Sequence, residues 1–310
     1  MDLTAVIILI FGLQQAVTIT IAAQGELVTE KSGILNIGLE GVMLLGAFTA
    51  AGIDTSFQHQ FGAWSPVVGL TCGMVVGIAA NFLFALMSTR IHVDQVVAGI
   101  GVNIFALGIN YVLSATYYNV DGTPRANTIP QVFQVPGLPK DLGGISSLEI
   151  AMFVLPVLVY FLLNRTTFGL HVKATGENPK AAEAAGLDVA RIRILATSLG
   201  GAMLGVAGGY LTVSLNSSYV PDITLGIGFI ALAAVIAGAW NPFYALGIGI
   251  VFGILLGSEH VLTVVYGVTT TDPLYVLLST LPYVFTVVIL GIASKRLRPP
   301  AALALPYRKE

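Results

Sequence analysis

RTTFGLHVKATGENPKAAEAAGLDVARIR, residues 165–193, is a long polar stretch lying between two apolar runs, and it carries a short helix with its own start and stop signals. Asn178 is a good N-cap, Pro179 suits the first helical position, and Ala181, Ala182, Ala184 and Ala185 are the strongest helix formers. Gly186 supplies the C-terminal stop. The spacing predicts a helix from Asn178 to Ala185, with Glu177 and Gly186 at its edges. The rest of the chain is nearly all lipid-compatible. A small capped helix in a basic loop of such a chain is a surface offered to something in the cytoplasm. That points to a channel or transporter domain driven by a soluble partner.

The composition agrees. Of 310 residues, 55% are hydrophobic and 10% charged, and the mean hydropathy is +0.86. Soluble domains carry about 25% charged residues, so most of this chain faces lipid or packs against helices that do. A net charge of −2, with no basic block, gives no reason to expect a nucleic-acid partner. The single Cys72 excludes a disulfide within the chain and a metal site built on cysteines. The start, MDLTAVIILIFGLQQAV, lacks a basic n-region, so the first span is expected to remain in the mature protein.

A spanning helix needs about 20 mainly apolar residues. By that rule spans are expected near 3–23, 34–53, 64–88, 94–116, 146–164, 193–215, 224–240, 243–257 and 273–293. The expected fold is all-α: a polytopic membrane helix bundle of about nine spans (8–10), in a single domain over 1–310. The short pair 224–240 and 243–257, parted by Asn241-Pro242, reads as a tight hairpin or as a broken, re-entrant element. With the N-terminus outside, the inner segments hold Lys31, Arg90, Arg165, Lys173, Lys180, Arg191, Arg193, Lys295, Arg296, Arg298, Arg308 and Lys309, and the outer ones only Arg125 and Lys140. Cytoplasmic loops carry the excess of Lys and Arg. The 165–193 loop and the C-terminus are therefore expected in the cytoplasm, and the Pro-, Gly- and Asn-rich 117–145 loop outside with little regular structure. Gly201, Gly205 and Gly209, like Gly249, Gly253 and Gly257, recur every four residues, which favours close helix packing or a dimer seam.

Polar groups inside a membrane are costly and usually face a bundle interior or an aqueous path. Gln14 and Gln15 sit mid-span, Asn81 lies in the third span, and Asn103 and Asn110 are seven apart on one face of the fourth. Asn36 and Glu40, four apart, would share a face if helical, but Gly33, Gly38 and Gly41 weaken that helix. The run suggests a broken element at the mouth of a pathway; capping of backbone groups near the interface is the plainer reading of Glu40, and interhelical bonding that of the asparagines. Glu26, Glu30, Asp94, Glu149 and Glu259 fall at expected span ends, which gives a proton relay little support. His59, His92, His171 and His260 have no zinc-like spacing, so no metal is expected. Gly99-Ile-Gly101 and Gly226-Ile-Gly228 lack the strand context of a dinucleotide loop, and there is no P-loop and no nucleophile–base signature. No cofactor and no catalytic residue are expected.

Three segments together resemble a known family. They are 34–50 (ILNIGLEGVMLLGAFTA), 173–209 (KATGENPKAAEAAGLDVARIRILATSLGGAMLGVAGG) and 226–242 (GIGFIALAAVIAGAWNP, with its G-F-x-x-L-A-x-x-x-x-G-x-x-N-P pattern). The chain resembles the ABC importer permeases of the ribose and branched-chain amino-acid type, and looks closest to the subgroup that serves purine-nucleoside uptake with lipoprotein binding proteins. The resemblance implies a bacterial inner-membrane subunit that pairs with itself or a second permease around the path. Cytoplasmic ATPase subunits would drive it, and an extracytoplasmic lipoprotein would feed it. It also implies that the short helix docks on the ATPase through Glu177, Asn178, Pro179, Lys180, Ala181, Ala182, Glu183, Ala185 and Gly186, with Lys180, Glu183 and Arg191 as rim charges. Alternating access would follow from rigid-body movement of that helix. Candidate path residues are Asn36, Glu40, Asn103 and Asn110, with Phe105 or Phe229 stacking on a base. Branched-chain amino acids or ribose-like sugars are the alternative solutes. A carrier without a motor and an intramembrane enzyme are the alternative classes.

Overall fold

The computed structural model describes residues 3–118, 126–134, 144–269, 272–293 and 298–307. Arg125, Lys140, Lys295, Arg296, Arg308 and Lys309, which entered the charge balance, lie outside the described residues, as does most of the 117–145 loop.

The elements run α1 (Leu3–Lys31), α2 (Leu39–Phe61), α3 (Ser65–Leu86), α4 (Gln95–Tyr117), β1 (Gln131–Gln134), β2 (Gly144–Ser146), α5 (Ser147–Arg165), α6 (Thr167–Glu177), α7 (Pro179–Ala184), α8 (Val189–Tyr210), α9 (Ile227–Ala237), α10 (Pro242–Tyr266) and α11 (Pro273–Ala293). A π-helical turn extends α3 over Met87–Ile91 and another extends α8 over Leu211–Leu215. Among the described residues, six stretches are long and apolar enough to cross a bilayer. One of them, Leu39–Ile91, is α2 and α3 folded back on each other, with Gly69 set against the Ala50 carbonyl.

Local chemistry fixes the helix starts. Asp94 accepts from the Val96 and Val97 amides at 2.9 and 3.1 Å and opens α4. Ser146 and Glu149 form a capping box at α5, and Asp188 accepts from Arg191 N at 2.9 Å to open α8. Helices α1 and α8 form the buried centre, with α10 and α9 against α1, and α2 and α3 against α8. The glycines make this possible. A Cβ on Gly253 would meet the Gly12 carbonyl and Ala16 at 2.5 Å, and one on Gly46 would meet the Gly205 carbonyl at 2.5 Å. Such backbone contact is how membrane helices pack when lipid is as apolar as leucine. Both glycine stripes are used largely within the chain.

Several expectations are corrected. The first helix runs eight residues past the expected 23, because Glu26 and Glu30 are fully buried within it instead of ending it. The second starts at Leu39, so Asn36 precedes it and does not share a helix face with Glu40. The fold is not purely helical. β1 and β2 pair antiparallel, Gln131 opposite Ser146 and Gln134 opposite Gly144, inside the loop expected to be irregular. The 165–193 stretch holds two helices, α6 as well as α7. Of the expected 224–240 span only the 11 residues of α9 are α-helical, about 16 Å, against a hydrocarbon core of about 30 Å.

Candidate functional site

Two regions hold the predicted site residues, one at an end of the bundle and one inside it. At the end lies α7. The Asn178 side chain accepts from Ala181 N at 3.0 Å, as an N-cap does, and Gly186, at φ +87°, turns the chain so that its amide meets the Glu183 carbonyl at 2.8 Å and the Leu187 amide meets the Ala182 carbonyl at 3.1 Å. Glu177, Asn178, Lys180, Ala181, Ala184, Ala185 and Gly186 are exposed, and Pro179 is half-buried. Ala182 is buried at 4% exposure, so its methyl packs inward and offers nothing to a partner. Glu183 is engaged by the Tyr307 hydroxyl.

The C-terminal residues brace this helix. The Ala302 amide donates to the Gly176 carbonyl at 2.8 Å, and Ala302 is buried. The Arg193 guanidinium, 2% exposed, donates to the Ser32 carbonyl at 3.0 Å and the Thr175 carbonyl at 3.2 Å, and lies 6.0 Å from the Tyr307 ring centroid. It thereby ties the end of α1, the end of α6 and the start of α8 together. Sequence reasoning counted Arg193 only as a loop cation. A signal was available: a cation in the first turns of a helix opposes the helix dipole, so it needs a partner elsewhere. Arg90 reaches Asp188 at 3.7 Å, which adds the α3–α4 connection to the same end. Lys31, Lys173, Lys180 and Arg191 belong to the elements gathered here.

Inside the bundle, the non-helical turn from Ser32 to Gly38 is sewn in by amides. The Asn36 backbone amide donates to Glu26 Oε1 at 3.1 Å, its side chain donates to Asn81 Oδ1 at 3.1 Å, and Asn81 donates to the Thr197 carbonyl at 2.9 Å. Asn103 accepts from Gly41 N at 2.8 Å and donates to the Ile37 carbonyl at 3.0 Å, while Gln95 accepts from Leu35 N at 2.8 Å. These side chains replace the backbone partners that a helix break leaves without bonds. Asn36 and Asn103 therefore serve the turn.

Glu40 caps a second break. Its Oε1 accepts from Gly226 N and its Oε2 from Gly228 N, each at 2.7 Å. Gly226 has φ +83° and opens α9, so the carboxylate sits on the positive end of that helix. The far end of α9 is held by Glu30, which accepts from the Trp240 indole N–H. A half-helix is thus clamped between carboxylates of α1 and α2. Of the other candidates, Phe229 is 43% exposed, one residue beyond the Glu40 contact. Asn110 bonds the Ala106 carbonyl of its own helix at 2.8 Å, and Phe105 is 63% exposed on another side of α4. The structure brings Asn36, Glu40, Asn103 and Phe229 near one another and leaves Asn110 and Phe105 outside that group.

A multi-pass helical bundle, with irregular backbone bonded deep inside it and a capped helix at its basic end, defines a membrane permease. The family model described as "Branched-chain amino acid transport system / permease component" matches residues 8–281, and the chain belongs to that family. It is 30% identical over 305 residues to the guanosine ABC transporter permease protein NupQ of Bacillus subtilis, covering 95% of this chain and 94% of that one. It is 28% identical over 291 residues to the nucleoside ABC transporter permease protein NupC of Lactococcus lactis, covering 92% and 91%. It is 30% identical over 328 residues to the putative glucose ABC transporter permease protein TsgC13 of Haloferax volcanii, covering 96% of each. No solved structure matches it.

Proposed function

We propose that this chain is the permease subunit of an ABC importer in a bacterial inner membrane, and that its solute is a purine nucleoside. The observation that carries the reading is the similarity along almost the whole chain to permeases named for guanosine and nucleosides. The chain is a transport subunit, and ATP hydrolysis belongs to a separate partner. The exposed face of α7, from Glu177 to Gly186 with Ala182 turned inward, is the surface on which that ATPase docks. Arg193 and the bonded tail make it rigid with α1 and α8, so a push on α7 reaches the helices at the centre.

The chain crosses the membrane nine times, with its N-terminus outside and its C-terminus in the cytoplasm. Three features support this count: α2 and α3 fold back as two crossings, the 216–240 stretch crosses as a turn plus the half-helix α9, and α11 makes the last passage. The basic end, with Lys31, Arg90, Lys173, Lys180, Arg191 and Arg193, is then the cytoplasmic one. A second permease subunit completes the path, and a binding lipoprotein delivers solute from outside. Glu40 and the two breaks let the interior re-pack without exposing unbonded backbone.

The test is ATP-dependent uptake into proteoliposomes that hold both permeases and the ATPase, with the binding protein outside. Guanosine, leucine, ribose and glucose are offered separately. Guanosine accumulation that needs the ATPase is the expected result. Accumulation without it, or of leucine or a sugar instead, overturns the reading.

A further inference from the structure

At the end of the bundle opposite α7, a cavity of about 480 Å³ opens between α1, the end of α8, the 216–227 stretch, α10 and α11. Its depth follows from the packing. Gln24 in the second half of α1 bonds the Pro242 carbonyl, and Gly257 packs on Gly12, so Glu259 and Gln15 both lie towards the end remote from Lys31. The lining mixes apolar side chains with polar ones from four directions: Gln15, Asn216, Glu259, and Tyr275, Ser279 and Tyr283 of α11.

Those three α11 residues are spaced by four, one stripe of a helix. Leu277, Val284 and Val288 occupy the other side and are exposed, as side chains that meet lipid are. A polar stripe on an otherwise apolar membrane helix is costly unless it faces water or a polar solute. The polar groups also keep capacity to bond. The Asn216 amide donates to the Leu211 carbonyl at 3.0 Å, the Ser279 hydroxyl to the Val276 carbonyl at 3.1 Å and the Tyr283 hydroxyl to the Leu225 carbonyl at 2.9 Å. The two hydroxyls thereby use their one donor and keep oxygen lone pairs for a ligand, and the Asn216 amide keeps its carbonyl oxygen and a second N–H.

The wall therefore offers acceptors from its hydroxyls and its carboxylate, and N–H donors from the Gln15 and Asn216 amides. It holds one carboxylate, Glu259, beside the Tyr275 hydroxyl, and no Lys or Arg among its lining residues. A ligand suited to it carries several hydroxyls, which both donate and accept, a flat ring for the tyrosines, and no negative charge.

We propose that this cavity is an outer way-station of the transport path, which binds an uncharged, hydroxyl-rich solute with a planar ring and rejects its phosphorylated form. The ligand class rests on the nucleoside reading given above. The site itself rests on the α11 stripe and the cavity.

The test uses the complete transporter in right-side-out vesicles, with Ser279→Cys on a Cys72→Ala background and a membrane-impermeant thiol reagent outside. Ser279→Cys reacts, and guanosine at ten times its half-maximal concentration slows the reaction about tenfold. Guanosine monophosphate does not slow it, and Val288→Cys on the lipid side stays unlabelled. Glu259→Gln raises the half-saturating guanosine concentration for uptake about tenfold or more, because a charge-assisted bond is weakened. If Ser279→Cys no longer imports guanosine, Thr280→Cys, at the next position, which also lines the cavity, replaces it. A variant that imports guanosine but whose labelling guanosine leaves unchanged overturns the site. Failure of the unsubstituted transporter to import guanosine overturns the underlying reading instead.

Discussion

Arg193 shows what one buried cation does. Its two bonds satisfy carbonyls at the ends of α1 and α6, both out of reach of water. Arg193→Met keeps the volume and removes both donors, which leaves two acceptors unbonded and costs about 2–4 kcal/mol. A fall in the melting temperature of the purified protein checks this. Arg90→Ala is the contrast. The Arg90–Asp188 pair is 3.7 Å long with both side chains 56% exposed, so its loss stays within about 1 kcal/mol. At this scale the sequence was half legible. Asn178 and Gly186 could be assigned because a cap bonds within three residues of itself. Asn36, Asn81 and Asn103 could be picked out as costly, but not given roles, because their partners come from other helices. Glu26 and Glu30 looked like span ends for the same reason: what buries them, the Asn36 turn and Trp240, lies 10 and 210 residues away in sequence.

Helix α7 is where residue chemistry becomes a surface. Its length and caps were legible because propensity and capping are local, but which alanine faces out was not, since that depends on where α8 and the tail lie. The structure separates the two alanines that sequence reasoning treated alike. Ala182→Glu places a carboxylate in a buried position and lowers the yield and melting temperature of the protein. Ala185→Glu puts it on the exposed side, leaving membrane insertion and stability within about 0.5 kcal/mol while uptake falls severalfold or more and ATPase binding weakens. Normal uptake by the Ala185→Glu variant would remove α7 from the docking surface. The half-helix α9 is a related case. Gly226, in the left-handed region, and Gly238 mark its two ends locally, but the sequence does not show that Glu40 and Glu30 hold those ends from α2 and α1.

For the whole molecule the question is which end meets the cytoplasm, and the bonds make it testable. Lys31, Arg193, α6, α7 and the Ala302–Tyr307 tail are joined by direct contacts, so they share one side whatever the orientation. The α2–α3 turn joins the other end: Asn127 donates through its side chain to Ser65 Oγ at 3.0 Å, where α3 starts, and through its backbone to Asp54 Oδ2 of α2 at 2.7 Å, and Ala126 N donates to the Ser217 carbonyl at 2.8 Å. A cation excess fixes orientation through the loops it sits on, and the described cations lie mostly on the first side. On a Cys72→Ala background, Ala185→Cys should therefore react with an impermeant thiol reagent only in inverted vesicles. Trp64→Cys, at a position 70% exposed in the turn, should react only in right-side-out ones. Ala5→Cys, at an exposed position in the first turn of α1, should behave as Trp64→Cys does, because Leu3–Lys31 makes one passage down to the basic end. Labelling of Ala185→Cys from outside would invert the molecule and detach α7 from any cytoplasmic motor. Labelling of Ala185→Cys and Trp64→Cys from the same side would break the antiparallel α2–α3 passage on which the count of crossings stands.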